Sequence, residues 1–324
     1  MSDNFTNNEE YFEAEILSVG DNILLKAVSG SLSGENFEVS GKTITASQRN
    51  QFNTGDRVMV LSAPNPLGNQ YTIVDFVRKD SIMLLFVLFV FIALAVGKKW
   101  GLASIVGMIY SFLVIFLFLL PRIIAGGEPV FNAIVAAALI VPVTFYLSHG
   151  INQKTNIAIV ATIVTLIFTA ILAAIFIEAT HLTGFAQEEA LFLQGYASFN
   201  MKGILLAGII IGVLGILDDI TVSQASVVQE LRQISPKASP IEIYKRAMNV
   251  GRDHIASLIN TLVLVYTGAS MPLLLLFSES GRGFWEVLNF EMVADEVVRT
   301  LVGSIGLILA VPLSTFMAAF IVKK

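Results

Sequence analysis

Residues 215–231 read GILDDITVSQASVVQEL, and this stretch decides how the chain is organised. A glycine-spaced apolar run ends in two adjacent carboxylates, Asp218 and Asp219. It then continues for three turns as a polar segment still compatible with a helix. A carboxylate at the centre of a membrane span costs roughly 2.5–3.5 kcal/mol on insertion scales. The pair must therefore stand near the membrane boundary, face a wet cavity or be partnered. Adjacent helical residues diverge by about 100°, so the two acids serve different faces. Asp219, Ser223, Ser226 and Glu230 make one stripe, and Asp218, Thr221 and Ala225 another.

The rest of the chain supports a membrane reading. Of 324 residues 55% are hydrophobic and only 14% charged, with a mean hydropathy of +0.75. Soluble domains carry about a quarter charged residues, so this chain has too little polar surface to solvate a globule of its size. The net charge of −5 is spread over many loops and points to no nucleic-acid partner. Cysteine is absent, which removes disulfides, thiolate nucleophiles and cysteine metal sites together.

From Ser81 onward seven apolar stretches approach the roughly 20 residues needed to span a bilayer. They lie at about 81–97, 102–121, 128–148, 156–179, 203–222, 253–278 and 301–322. Pro272 and Pro312 interrupt the last two. Gly208, Gly212 and Gly215 give the fifth a small-residue face that would let a neighbouring helix approach closely. Residues 1–79 differ. Runs such as FEAEILSV from Phe12, NILLKAVS from Asn22, ENFEVS from Glu35, KTITAS from Lys42, DRVMVLSA from Asp56 and YTIVDFV from Tyr71 alternate between turn-like breakers. Period-two alternation predicts about six strands, enough for a small OB- or SH3-like β-barrel, behind a frayed tail at Met1–Glu10. The fold class expected is an α-helical polytopic membrane bundle of about seven spans, residues 80–324, preceded by a small all-β domain at 1–79.

Lys98, Lys99, Lys154, Arg232, Lys237, Lys245, Arg246, Arg252, Lys323 and Lys324 fall on one side of such a bundle. Arg122, Lys202, Arg282 and Arg299 fall on the other, with many acids. By the positive-inside rule the first side is cytoplasmic and the β-domain lies outside. No apolar segment precedes the β-domain, so the alternatives are an anchor further upstream or the reverse orientation. Residues 223–251 become a cytoplasmic amphipathic segment. Within it Ser239-Pro240-Ile241-Glu242 has the pattern of a capped helix start, opening a short interfacial helix to about Asn249.

The sixth span repeats the polar theme of the fifth. Asp253, Ser257, Asn260 and Thr261 share a face with His254 alongside, and His149 closes the third span on the same side. Asp218, Asp219, Asp253, His254 and His149 are thus expected to converge. Oxygen and imidazole donors in that mixture suit a divalent cation or a proton relay. Ser223, Gln224, Ser257 and Asn260 would serve as neutral ligands. The bland alternative is also physical. Acids and histidines at span ends are often merely interfacial, and Asp253 in a first helical turn is favoured by the macrodipole.

GVLGILDDITVSQASVVQELR (212–232), GRDHIASLINTLVLVYTGASMPLLLLF (251–277), VRTLVGSIGLILAVPLSTF (298–316) and FYLSHG (145–150) resemble the bacterial YibE/F-like family. The resemblance implies a multi-pass protein of the bacterial cell membrane with an N-terminal β-domain and a hydrophobic helix before it. It implies no particular chemistry. The function expected is a secondary transporter or exporter of a small cation or proton-coupled solute. It would work by carboxylates and histidines at the cytoplasmic end of spans five and six, in the lipid bilayer and with a homo-oligomer open as an arrangement. A second reading, from another class, is an envelope assembly protein whose residues 1–79 dock an extracytoplasmic protein. A metal-dependent membrane hydrolase fits the Asp/His mixture but lacks a nucleophile with an orienting base. A cysteine introduced at Gly34 would be the only thiol in the chain. It is expected to react with an impermeant maleimide from outside intact cells, and reaction from the inside alone would reverse the orientation.

Overall fold

The structure, a computed structural model, describes residues 10–40, 52–65, 68–186, 188–193 and 199–321. It divides into two compact units, Met1–Ala95 and Val96–Lys324.

Among the described residues the first unit contains five antiparallel strands, β1 Glu10–Val19, β2 Asn22–Ala27, β3 Asn36–Ser40, β4 Arg57–Asn65 and β5 Gly68–Phe76, in the order β3-β2-β1-β4-β5. Five of the six alternating runs become these strands; the sixth, KTITAS, lies outside the described residues, as does the expected tail up to residue 9. Alternation places Phe12, Ala14 and Ile16 of β1, Ile23 and Leu25 of β2 and Val58 and Val60 of β4 in one core. The sheet curls far enough for its two edge strands to touch, with Phe37 of β3 and Tyr71 of β5 at 4.7 Å between ring centroids. That makes a half-barrel. Gly30, at φ 80°, brings the turn after β2 over Phe12, leaving no room for a Cβ. The Ser31 hydroxyl and N–H both donate to Glu10 and hold its carboxyl below the usual range. Lys79 pairs with Glu13.

Helix α1, Lys79–Val114, leads from one unit into the other and is broken at Lys98, where φ is 49° and ψ −128°. The helical run continues through a π-turn at Ile115–Leu119 to Ile124. Pro121 explains the π-turn: it has no N–H and its ring crowds the carbonyl four residues back, so the hydrogen bonds ahead of it widen by one residue, Leu120 N–H reaching Ile115 O. The first two expected spans are thus successive parts of one 46-residue run, and the break at Lys98 divides it.

The remaining helices are α2 Pro129–His149, α3 Gln153–Ala179, α4 Glu188–Leu193, α5 Met201–Ile234, α6 Pro240–Ala269, α7 Met271–Glu279, α8 Phe284–Val287 and α9 Glu291–Ile321. Among the described residues five helical runs are long and apolar enough to cross a membrane, or six if α6 and α7, bent by 67°, form one broken span. The bend falls at Ser270, one residue before α7, whose second residue is Pro272. Pro312 lies inside the unbroken α9. At 1.5 Å per residue the 34 residues of α5 reach about 51 Å. That exceeds a hydrocarbon core of about 30 Å, so the polar half from Ser223 onward extends past it. The helix start at Ser239 forms as its sequence dictates, with its hydroxyl accepting from Glu242 N–H. The helix it opens is longer than expected, because the interfacial segment and the sixth span fuse into α6.

Helices α3, α5, α6 and α9 pack closely through small residues. A Cβ on Gly306 of α9 would overlap the Thr169 hydroxyl of α3 and stand 3.1 Å from its methyl. A Cβ on Gly251 of α6 would stand 2.7 Å from Val311 of α9. The glycines expected to permit close approach are different ones. Gly212 and Gly215 face open space, and Gly208 sits 3.9 Å from Arg299. Gly306→Ala is accordingly expected to cost about 1–3 kcal/mol, read as a lower melting temperature of the purified protein. Adding Thr169→Ala should restore most of it, and no loss in the single variant would show that α3 and α9 are not in contact there.

Candidate functional site

The site begins at the turn between α2 and α3. Gly150 ends α2 with φ 75°, a conformation glycine adopts without penalty. Asn152 then caps α3, its side-chain oxygen accepting from Thr155 N–H at 3.0 Å while its amide donates to the carbonyl of His149 at 2.8 Å. Tyr146 donates to Asn156 across the same turn at 2.9 Å. These bonds hold His149 in the last turn of α2 and bring Lys154, in the first turn of α3, to the same end of the bundle.

Opposite them, the rotation of α5 is set by its buried side. Val213, Leu217 and Ile220 are fully packed, and Thr221 shares a hydrogen bond of 2.9 Å with Thr162 of α3. With Leu217 turned inward, Asp218 falls at the flank and Asp219 outside. Asp218 Oδ1 lies 3.4 Å from His149 Nε2, close enough for charge attraction, yet this buried oxygen has no hydrogen-bond partner. Both side chains are about one-third exposed, at 35% and 34%. They open into a cleft of about 520 Å³ lined also by Trp100, Ser148, Lys154 and Asp219. A deeper chamber of about 380 Å³ adjoins it, lined by Met108, Phe112, Ile115 and Leu214. Ser104, Ser148, Gly215 and Asp218 line both. A carboxylate with an unsatisfied oxygen beside an imidazole can hold a cation or exchange a proton.

The other expected ligands are placed differently. Ser223 is within 3.5 Å of Asp219 on the same helix. Gln224 is buried on the far side of α5, accepting from Thr315 at 2.9 Å, its amide nitrogen without a partner. On α6 the packed face is Gly251, Ile255, Leu258 and Leu262, while Asp253, Ser257 and Asn260 are exposed and His254 half-buried. None of these four lines the cleft. The cause is Gly251: it alone on that helix can approach Val311 and Gln224 so closely, and the approach turns the polar stripe away. The expected gathering of His149, Asp218, Asp219, Asp253 and His254 is therefore not seen. Among the described residues no three His, Asp or Glu side chains stand together as metal ligands.

Residues that sequence reasoning passed over complete the picture. Lys154 counted only as topological charge and Trp100 not at all, although an aromatic and a lysine at successive span ends on one side were a usable signal. Asp295, Glu296 and Arg299, counted as loop charges, lie on α9 itself. Arg299 Nη2 donates to Asp295 Oδ2 at 3.2 Å, and Asp295 is only 7% exposed. Their i, i+4 spacing was the signal for that pair.

Among curated proteins and among solved structures nothing matches this chain. The family model of YibE/F-like protein matches residues 85–324, which takes in all the helices that line the cleft, as well as the LDDITVSQAS and GRDHIASLINTL segments. With spans, cleft and motifs in place, the chain belongs to the YibE/F-like family.

Proposed function

We propose that this membrane protein is a secondary transporter that exchanges a small cation for protons, with Asp218 as the shared carboxylate. The observation that carries the reading is the buried, unpartnered Oδ1 of Asp218, 3.4 Å from His149 Nε2 in the wall of the cleft. A polar oxygen left bare in this way is costly unless a ligand or a proton donor completes it. Histidine is the side chain whose charge ordinarily changes between pH 5 and 8. Neutral, it leaves Asp218 free for a cation; protonated, it supplies the counter-charge itself. Proton and cation thus compete for one carboxylate, which is the minimum requirement for exchange. Asp219, one residue on, faces the outer part of the cleft and would draw cations towards it.

The lysines at the break in α1, Lys154 at the start of α3 and Arg232 at the end of α5 fall on one side in the positive-inside reading, so we propose that the cleft lies at the cytoplasmic face of the bacterial cell membrane and the β-unit outside. A divalent cation would need neutral donors from Ser104 and Ser148 in place of the missing α6 ligands.

The test is cation binding and flux with purified protein in liposomes. Asp218→Asn is expected to abolish cation-driven proton movement with folding intact. His149→Gln should bind the cation but lose the weakening of binding between pH 8 and pH 5. In a melting experiment, a cation at a hundred times its Kd adds about 2.7 kcal/mol, and that increment should vanish in Asp218→Asn. Full activity in both Asp218→Asn and Asp219→Asn would overturn the reading in favour of an envelope role in which the β-unit docks a partner.

A further inference from the structure

The cleft has two chemically different parts joined at one residue. Its mouth carries Asp218, Asp219, His149 and Lys154, with the Lys99 ammonium over the ring of Trp100 beside them, and the buried Oδ1 of Asp218 has no hydrogen-bond partner among them. The adjoining chamber presents Met108, Phe112, Ile115, Ile140 and Leu214 together with Ser111 and Thr144, whose hydroxyls are taken up by carbonyls of their own helices. The two share Asp218 and Gly215, and nothing lies within 4 Å of where a Gly215 Cβ would sit. The passage between charge and grease is therefore open at the glycine. Trp100 stands at the mouth, its ring already in contact with the Lys99 ammonium 5.3 Å from the centroid, so it serves here as a reporter of the site. An inorganic ion would use the carboxylate and leave the chamber idle. A chamber of about 380 Å³ is within the size range of small-molecule pockets, which are mainly apolar with a few placed polar groups.

We propose that the cleft takes a monovalent organic cation with an apolar tail, an alkylammonium-like amphiphile whose head meets Asp218 and whose tail passes Gly215 to lie between Met108, Phe112 and Leu214. This rests on the reading of Asp218 as the cation site and adds the class of substrate. The unpartnered Oδ1 of Asp218 suits a small head of charge +1 with N–H groups to donate. The tail gains the chamber's burial, and Met and Phe side chains adapt to irregular tails. Gly215, one turn before Asp219 and on the open side of α5, is the position that keeps the two parts continuous.

The sequence holds two tryptophans, so Trp285→Phe leaves Trp100 as the only fluorescent indole. In that background, in lipid nanodiscs, the ligands to titrate are methylammonium, butylammonium, octylammonium and neutral octanol. Octylammonium is expected to shift Trp100 emission saturably and far more tightly than methylammonium, at up to about fourfold per buried methylene. Gly215→Leu has room for its side chain and gains helix propensity. It should lose the octylammonium advantage by at least tenfold while keeping methylammonium binding, and Gly215→Ala should fall between. The discs are the same throughout, so for each ligand partition into lipid cancels between protein variants. Asp218→Asn should lose every ammonium, and Asp218→Glu should keep them. Equal binding of methylammonium and octylammonium, both dependent on Asp218 and unchanged by Gly215→Leu, overturns the tail but leaves the cation site standing. Octanol binding as tightly as octylammonium, also in Asp218→Asn, marks a pocket for lipid chains and overturns the proposal. Absence of any Asp218-dependent binding removes the cation site, and the proposal with it.

Discussion

The hydrogen bond between Thr162 and Thr221, set among the buried Leu217 and Ile220, fixes the rotation of α5 about its own axis. Everything at the site follows from that rotation. Turning α5 by one residue would carry Asp218 into the buried side that Leu217 now fills, and the cost of an unpaired intramembrane carboxylate opposes it. With Thr221 inward, Asp218 comes to the flank that α2 presents, at the level of His149. Threonine suits this place because its single hydroxyl proton goes to the Leu217 carbonyl on its own helix, while its oxygen accepts from Thr162.

The bundle reconciles polar content with an apolar surrounding in the same manner throughout. Thr165, Thr169, Ser314 and Thr315 are buried, yet each hydroxyl donates to a carbonyl one turn back. That leaves van der Waals fit as the main force between helices, and small residues are what permit it. Gly251 and Gly306 occupy the points of closest approach. Asp218 departs from this economy because its bare oxygen has no structural donor, and for that reason it stands out as a working group. Asp295 shares the feature in part, with one oxygen on Arg299 and the other unpartnered.

Much of this was legible in the residues. Alternation located the strands because the sheet has one buried face, and capping residues marked where α2 ends and α6 begins. Long apolar runs located the spans because lipid demands them. The acids at 218 and 219 drew attention for the same reason. What could not be read was which of two opposed faces a helix turns inward. On α6 the stripe through Asp253, Ser257 and Asn260 and the face through Gly251 and Leu262 are each well formed. Only the depth of contact with Val311 selects between them. Likewise, Gly208, Gly212 and Gly215 looked like a packing seam, but two of the three border open space.

The sequence by itself determined that this chain is a membrane protein with a separate β-unit, where its long apolar runs lie, and that Asp218, Asp219 and His149 need an explanation. These are properties of local patterns and of transfer from water to lipid, which each segment satisfies alone. The tertiary structure decided which of the polar groups meet. It joined His149 to Asp218, brought Trp100 and Lys154 to the same cleft and set Asp253 outside it, because partner choice depends on fit between surfaces that no single segment contains.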